Sequence, residues 1–346
     1  MINKLWNVAL VGADGVVGEQ LLECMAEREF PLGTLRCLAS GKEAGKILEF
    51  KGKPATVEEL RHDSFKGIDI AFFCAGATLS REFCPSAVAA GSVCIDTSSA
   101  WRMDQDVPLV VPEVNPQRIA EYRRKGIIAV PAASVTPVVT ALKPLHDRAS
   151  VRRIVVSTYQ AVSGSGRRAI TELRKQVGEL LNGRPVVCTV YPHQIAFNCL
   201  PQIDSFEPDG STGEELRLLN ETRKIMEADI RVTATAVRVP VFYGHSASLN
   251  IETVSKLTAT EARELLAGAP GVELVDDPGK GVYPMAIDAA GQDLVMVGRV
   301  REDSSIDNGI NLWVVSDNLC NGAAAVLRIA EILIEREFSA NTEPNA

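Results

Sequence analysis

The chain has 346 residues, 46% of them apolar and 23% charged. At about 150 residues per domain that is enough for two folded domains with full cores. It excludes a disordered chain and a disulfide-stapled miniprotein. The net charge of -8 is opposite in sign to that of a general nucleic-acid binder, so no nucleic-acid partner is expected. Eight cysteines (24, 37, 74, 84, 94, 188, 199 and 320) show neither CxxC nor zinc spacing. They read as buried free thiols in a reducing cytosol, with no metal site. The N-terminus runs directly into the short apolar run Val8-Ala9-Leu10-Val11, and no apolar stretch is long enough for a span. Neither a signal segment nor a membrane partner is expected, and the placement read is cytoplasmic.

The first 130 residues alternate short apolar runs with helix-like stretches. Val8–Val11 reads as a buried strand, and Val17–Glu27 as a helix with apolar residues at 17, 21, 22, 25 and 26. Leu35–Ala39 and Ile68–Phe73 read as strands, Ser80–Ala90 as a helix and Ser92–Ile95 as another strand. This alternation predicts a parallel sheet covered on both faces. Past Pro131 the runs become longer and β-branched: Val151–Ser157, Arg231–Val237, Ser246–Val254, Asp293–Val300 and Gly309–Val315. They predict an antiparallel or mixed sheet, a natural dimer surface. Arg167–Leu181, Glu214–Met226 and Ala323–Phe338 read as helices, and the tail from Ser339 as loose.

The first strand ends in Gly12-Ala-Asp-Gly15-Val16-Val17-Gly18, a GxxGxxG variant that opens a helix. Glycines let the backbone approach a pyrophosphate, and the helix start offers free N–H groups and the positive end of its dipole. Asp14 is awkward there, because a carboxylate repels phosphate unless it points away. The second strand ends at Ala39-Ser40-Gly41-Lys42. An NAD site usually has Asp or Glu at that end. Ser40 and Lys42 suit a 2′-phosphate better, so NADP is favoured over NAD, with Glu43 counting against it.

At this point the chain resembles the aspartate-semialdehyde dehydrogenase family nearly end to end. The resemblance is carried by the glycine loop, Phe73-Cys-Ala75-Gly76, Ile95-Asp-Thr-Ser-Ser-Ala-Trp-Arg102 and Val107-Pro-Leu-Val-Val-Pro-Glu-Val-Asn115. It continues through Tyr159-Gln160-Ala161, Gln194-Ile-Ala-Phe-Asn198, Arg238-Val-Pro-Val241 to His245, Val297-Gly-Arg-Val-Arg301 and Val315-Ser-Asp-Asn318. It implies an α/β protein with a Rossmann-type parallel-sheet domain (residues 1–130 with 318–346). The second domain it implies is an α+β dimerisation/catalytic domain with a large mixed sheet (residues 131–317). A homodimer or homotetramer follows. The reaction implied is NADPH-dependent reductive dephosphorylation of aspartyl-4-phosphate to aspartate semialdehyde, through a cysteine thioester.

Carried over by position, Arg102 resembles the family's phosphate-binding arginine and Arg238 the arginine for the substrate carboxylate. His245 resembles its acid/base, Gln160 its orienting glutamine and Glu214 its ammonium-binding carboxylate. Arg217 stands where the family usually has lysine, which keeps the charge but changes the donor geometry. Asn318 resembles the residue that holds the nicotinamide amide. Ala75 and Gly76 join Gly12, Gly15, Val16, Val17, Gly18, Ser40 and Lys42 as cofactor contacts.

The nucleophile is the exception. The family loop Asn-Pro-Asn-Cys-Ser-Thr-Ile-Gln aligns without a gap to Val130-Pro131-Ala132-Ala133-Ser134-Val135-Thr136-Pro137. Only Pro131 and Ser134 agree, and the cysteine position is Ala133. So many changes together mark divergence of the loop, as in family paralogues of unassigned activity. Ser134 is a poor replacement, since a hydroxyl is far less acidic than a thiol and an ester accepts hydride less readily than a thioester. Cys74 and Cys320 fall beside expected cofactor contacts, not at a nucleophile position. The expected outcome is a family protein whose redox reaction is absent or strongly impaired. The competing reading is a non-catalytic NADP- or ligand-binding paralogue, acting as a partner subunit or metabolite sensor. The expected ligand is small, acidic and derived from an amino acid. An N-acetylglutamyl phosphate reductase fits less well, because it needs the same cysteine.

Overall fold

A computed structural model describes residues 4–338. The chain divides into two compact units, one comprising Met1–Ala132 with Gly322–Ala346, the other Ala133–Asn321. The first opens with β1 (Trp6–Val11), α1 (Val16–Glu27), β2 (Leu32–Ala39), β3 (Ile47–Phe50) and β4 (Lys53–Glu59). It continues with β5 (Ile70–Phe73), α2 (Ala77–Ala89), β6 (Val93–Asp96), a 3-10 segment Pro116–Arg124 and β7 (Ile127–Ala129). The sheet order is β3-β4-β2-β1-β5-β6-β7. All neighbours are parallel except the β3–β4 edge hairpin. Val8, Ala9, Leu10 and Val11 are fully buried, as a strand covered on both faces requires. β1 lies between β2 and β5, so the chain leaves its carboxyl end at the point where the strand order reverses. That point is where open α/β sheets bind ligands.

The second unit contains α3 (Val135–Ala149), β8 (Val151–Gln160), α4 (Arg167–Leu181), α5 (Gly213–Met226), β9 (Arg231–Arg238) and β10 (His245–Thr253). After these come α6 (Ala259–Ala267), β11 (Val272–Leu274), the short α7 (Ala286–Ala289), β12 (Val295–Asp303) and β13 (Gly309–Ser316). The sheet order is β11-β12-β13-β10-β8-β9. The four inner strands are antiparallel, and β9 and β11 are parallel additions at the two edges. α3 packs on β8, β10, β12 and β13, with α5 and α6 beside it. Tyr159 and Trp313 project from the sheet with ring centroids 5.4 Å apart, and Tyr159 is exposed. The last helix, α8 (Cys320–Ile332), runs into a π-helical turn, Leu333–Phe338. Its Ala323, Val326, Leu327 and Ile329 join Leu10, Leu21, Met25 and Ile70 in the core of the first unit.

Three sequence expectations need revision. The strand and helix limits shift, most visibly at α2, which starts at Ala77 instead of Ser80. Gly76 ends the preceding turn in an extended conformation and hands over directly to the helix. The β3–β4 hairpin and α3 were not foreseen. The hairpin is an exposed edge with few apolar positions. The first two turns of α3 are buried from Val135 through Leu142, so they present no polar face to reveal a 3.6-residue period. Pro137 sits in the first turn, where its missing N–H costs nothing. The cysteines are not uniformly buried: Cys24, Cys37, Cys84 and Cys94 are, Cys74 and Cys320 are half-buried, and Cys188 and Cys199 are exposed. The last two lie on the irregular segment between α4 and α5, outside both sheets. The expectation for the tail from Ser339 lies outside the described residues. Among the described residues no helix is long and apolar enough to cross a membrane, and no cluster of His, Cys, Asp and Glu could hold a metal ion.

Candidate functional site

The glycine loop is closed too tightly for side chains at two positions. Gly12 has φ +83, and a Cβ there would lie 2.9 Å from the Cys74 carbonyl carbon and oxygen. A Cβ at Gly18 would lie 2.2 Å from the Gly12 carbonyl oxygen. The loop is pinned to β2 by the Gly12 N–H on the Leu38 carbonyl at 2.8 Å. Gly15 is the N-cap of α1 and no side chain caps it. The N–H groups of Val16, Val17 and Gly18 therefore have no acceptor within the helix. A narrow backbone turn ending on an uncapped helix start fits a dinucleotide pyrophosphate. Gly76 is likewise the uncapped N-cap of α2, with Ala75 before it. Ser40 and Lys42 are exposed just beyond β2. Lys46 lies 3.8 Å from Asp14 and also pairs with Glu43, so one cation takes up both carboxylates that count against a phosphate. Arg102, also in this unit, is buried. It donates to the Val130 carbonyl at 2.9 Å and to the Thr97 carbonyl at 2.6 Å.

The remaining candidates lie in the second unit, and the sheet explains why they meet. Gln160 ends β8 and Arg238 ends the parallel β9, opposite one another in register. His245 begins the antiparallel β10 and pairs with Ser316 near the end of β13, two residues before Asn318. All four therefore stand at one end of one sheet. Glu214 joins them from the first turn of α5, whose start is fixed by a reciprocal cap. The Thr212 N–H donates to Glu215 Oε2 at 2.7 Å while Thr212 Oγ1 accepts the Glu215 N–H.

Glu214 is the most heavily bonded of these groups. Ser134 Oγ donates to its Oε1 at 2.5 Å and Gln160 Nε2 to the same oxygen at 3.0 Å. Arg217 Nη1 donates to Oε2 at 2.8 Å, while Arg217 Nη2 reaches Asp204. Burial pushes the Glu214 carboxyl up, but these donors and the guanidinium charge outweigh it and hold it below the usual carboxylate range. Arg217 therefore bridges two carboxylates, which uses the forked geometry a lysine lacks. Ser134 precedes α3 but does not cap it, because its hydroxyl serves Glu214. Ala133 is half-buried in the turn immediately before.

Arg238 Nη1 donates to the Ala161 carbonyl at 2.7 Å, and its Nε is buried without a partner. The Ala161 N–H donates to His245 Nδ1 at 3.2 Å. A Cβ at Gly164 would lie 3.0 Å from Arg238 Nη1 and 3.2 Å from His245 Nε2, so both side chains border this bare glycine. Ser163 Oγ donates to Asn318 Oδ1 at 3.0 Å. Tyr191, which sequence reasoning passed over, has a buried hydroxyl near Ser165 and an electrostatic coupling to Arg238. Its segment is irregular and carries no periodicity to flag it. It is held by Glu172 of α4, whose carboxylate accepts the Thr189 and Val190 N–H groups at 2.7 Å each. Ser163 and Ala161 were missed because one acts through a hydroxyl in a turn and the other only through its backbone. The cluster offers cationic and neutral donors to an anion, and its side chains include no thiol.

A glycine-loop parallel-sheet unit followed by a mixed-sheet unit is the organisation of the semialdehyde dehydrogenases. Residues 7–122 match the model of the semialdehyde dehydrogenase NAD binding domain, and residues 142–321 that of the semialdehyde dehydrogenase dimerisation domain. The aspartate-semialdehyde dehydrogenase of Aquifex aeolicus is 51% identical over 334 residues, 95% of this chain and 98% of that protein. That of Legionella pneumophila is 51% identical over 335 residues, 96% of each. The crystal structure of aspartate semialdehyde dehydrogenase II from Vibrio cholerae, also described complexed with ASA, superposes with a TM-score of 0.94 at 45% identity. That match covers 97% of this chain and 100% of the other. The chain belongs to the aspartate-semialdehyde dehydrogenase family.

Proposed function

We propose that this chain binds NADP and a small acidic, amino-acid-derived ligand, and that it carries out the family's reductive dephosphorylation of aspartyl-4-phosphate weakly or not at all. The observation that carries this reading is Ala133 in the turn before α3, beside an ordered set of anion-binding and orienting side chains. A methyl group cannot form the acyl-enzyme. Removing a nucleophile from a catalytic set costs about 10⁶ in rate, roughly 8 kcal/mol. Ser134 does not replace it. Its hydroxyl is engaged by a carboxylate held in its ionised form, which is a weak base. Loss of function followed by drift erodes binding groups too, yet here they remain mutually bonded, which favours a retained ligand.

Arg238 is assigned the ligand carboxylate and Glu214 with Gln160 its ammonium side, with Arg217 holding Glu214 in place; Arg102, in the first unit, is assigned a phosphate. Gly12, Gly15, Val16, Val17, Gly18, Ala75 and Gly76 are assigned the dinucleotide, Ser40 and Lys42 its 2′-phosphate, and Asn318 its nicotinamide end. NADPH, when bound, is the source of hydride. The pairing of Lys46 with Asp14 and Glu43 supports NADP over NAD. We assign the dinucleotide domain to residues 1–130 with 318–346 and the dimerisation domain to 131–317. We expect a homodimer or homotetramer in the cytoplasm. The second reading, a partner subunit or metabolite sensor without chemistry, draws on the same Ala133.

Two measurements test this. Purified protein given aspartate semialdehyde, phosphate and NADP⁺ is expected to show no detectable reduction of the cofactor; a rate in the usual enzymatic range of ~1–10³ s⁻¹ overturns the impaired reading. Calorimetric titration is expected to detect NADP⁺ binding to the wild type and not to Gly18→Val, because any Cβ at Gly18 collides with the Gly12 carbonyl. Absence of heat with the wild type at millimolar cofactor removes the dinucleotide assignment.

A further inference from the structure

We propose that Asp96 is a positioning residue for the phosphate assigned to Arg102: its carboxylate pins the turn of residues 97–101, and the pinned turn sets where the Arg102 guanidinium stands. The phosphate rests on the reading above, whereas the pinning does not. Asp96 ends β6 and is fully buried. A carboxyl group so placed is costly unless donors meet it. The first donor comes from the turn that follows. Ser98 Oγ donates to Asp96 Oδ2 at 2.7 Å and accepts the Ala100 N–H at 3.1 Å. An amide N–H only donates, so the hydroxyl keeps its own proton for the carboxylate. The chain of donation has one direction, from Ala100 through Ser98 to Asp96.

The far end of the turn is held through α2. The Trp101 indole only donates, and its Nε1–H meets Ser80 Oγ at 2.9 Å. Ser80 is fully buried near the start of α2. Its hydroxyl stands beside the Asp96 carboxyl, where burial raises the pKa and the Ser98 and Ser80 hydroxyls pull it back. Ser98 and Trp101 are three residues apart, so one carboxylate governs both ends of the turn. Arg102 is the next residue, and its own bonds return to the same place. Its Nη2 donates to the Thr97 carbonyl at 2.6 Å, and its Nε to the Val130 carbonyl at 2.9 Å. The Val130 N–H in turn donates to the Asp96 carbonyl at 2.8 Å. The guanidinium is thus referred to Asp96 through the turn on one side and through β6 on the other. Planar recognition of phosphate by arginine tolerates little misplacement. The Arg102 charge also acts on the Asp96 carboxyl. A carboxylate this close to a phosphate repels it, so what Asp96 holds has to outweigh what it repels.

That opposition of signs gives the test. The chain has three tryptophans, so indole ¹H–¹⁵N NMR of the full-length protein resolves three side-chain signals, and Trp101→Phe assigns that of Trp101. Its solvent exchange is expected to be slow in the wild type. Asp96→Asn, whose amide turns a donor toward the hydroxyls, is expected to speed it at least ~10-fold, with the Trp6 and Trp313 signals unchanged. Ser98→Ala removes one link and leaves the carboxylate; it decides the matter if Asp96→Asn does not fold. Unchanged exchange overturns the pinning. Binding is read by calorimetry with inorganic phosphate. Asp96→Asn is expected to bind about tenfold more weakly than wild type, with NADP⁺ affinity kept within a few-fold. Loss of repulsion alone predicts tighter phosphate binding, so equal or tighter binding overturns the positioning role. Failure of the wild type to bind phosphate, or undiminished binding by Arg102→Met, overturns the phosphate reading instead, and the indole exchange alone then decides whether Asp96 pins the turn.

Discussion

Ala133→Cys is expected to raise NADP⁺ reduction with aspartate semialdehyde and phosphate by at least ~10³ over wild type, toward the ~10⁶ a missing nucleophile costs. The side chain at this position stands in the turn leading into α3, whose N-cap residue Ser134 makes no capping bond. A thiol there meets the positive end of the α3 dipole, which favours the thiolate. It also sits next to Ser134, which is joined to Glu214 and through it to Gln160. The gained activity should then rise with pH along the ionisation of the cysteine itself, below the ordinary thiol value of about 8.5. Adding Ala132→Asn is expected to increase the gain. Rates of the single and double variants against pH, on protein shown to be folded, make the check. No gain in either would mean the site has diverged beyond its nucleophile.

Much of this was visible in the residues. The short continuous apolar runs around Leu10 and Phe72 are what parallel strands buried on both faces require. Gly12, Gly15 and Gly18 gave away the turn because sterics leave few other choices there. The gathering of Gln160, Arg238 and His245 was not visible in the same way. It depends on β9 pairing parallel to β8 while β10 runs antiparallel, and pairing direction is not written in local periodicity. α3 escaped because its first two turns, from Val135 through Leu142, are buried throughout and show no amphipathic pattern. Partners that act through a peptide group, such as Ala161, leave no trace in side-chain chemistry. Arg217 reads in sequence as a ligand clamp, yet in the fold it bridges Glu214 and Asp204. A charged residue on a helix does not announce which carboxylate will claim it.

Arg217→Met is expected to destabilise the protein by about 3 kcal/mol at neutral pH. Removing one partner of a buried ion pair leaves a charge uncompensated and costs ~3–5 kcal/mol. The low end applies because the Arg217 side chain is 31% exposed while that of Glu214 is 8% exposed. For a cooperative unit of this size the melting temperature should fall by roughly 6–12 °C. The pH dependence separates this cause from lost packing. Glu214 has its pKa lowered in the folded protein, so its ionised form contributes stability above the unfolded carboxylate value of about 4.3. That contribution fades as pH falls through the folded value. In Arg217→Met the carboxyl loses its paired guanidinium and protonates more readily, which relieves the buried charge. The gap between wild type and variant should therefore be widest near pH 7 and narrow below about pH 4. Glu214→Gln combined with Arg217→Met should recover part of the loss, since a neutral amide has no charge to strand. Thermal melts of the three proteins across that range decide it. A gap that stays constant down to acid pH would assign the cost to the methylene stem of Arg217 and not to its charge.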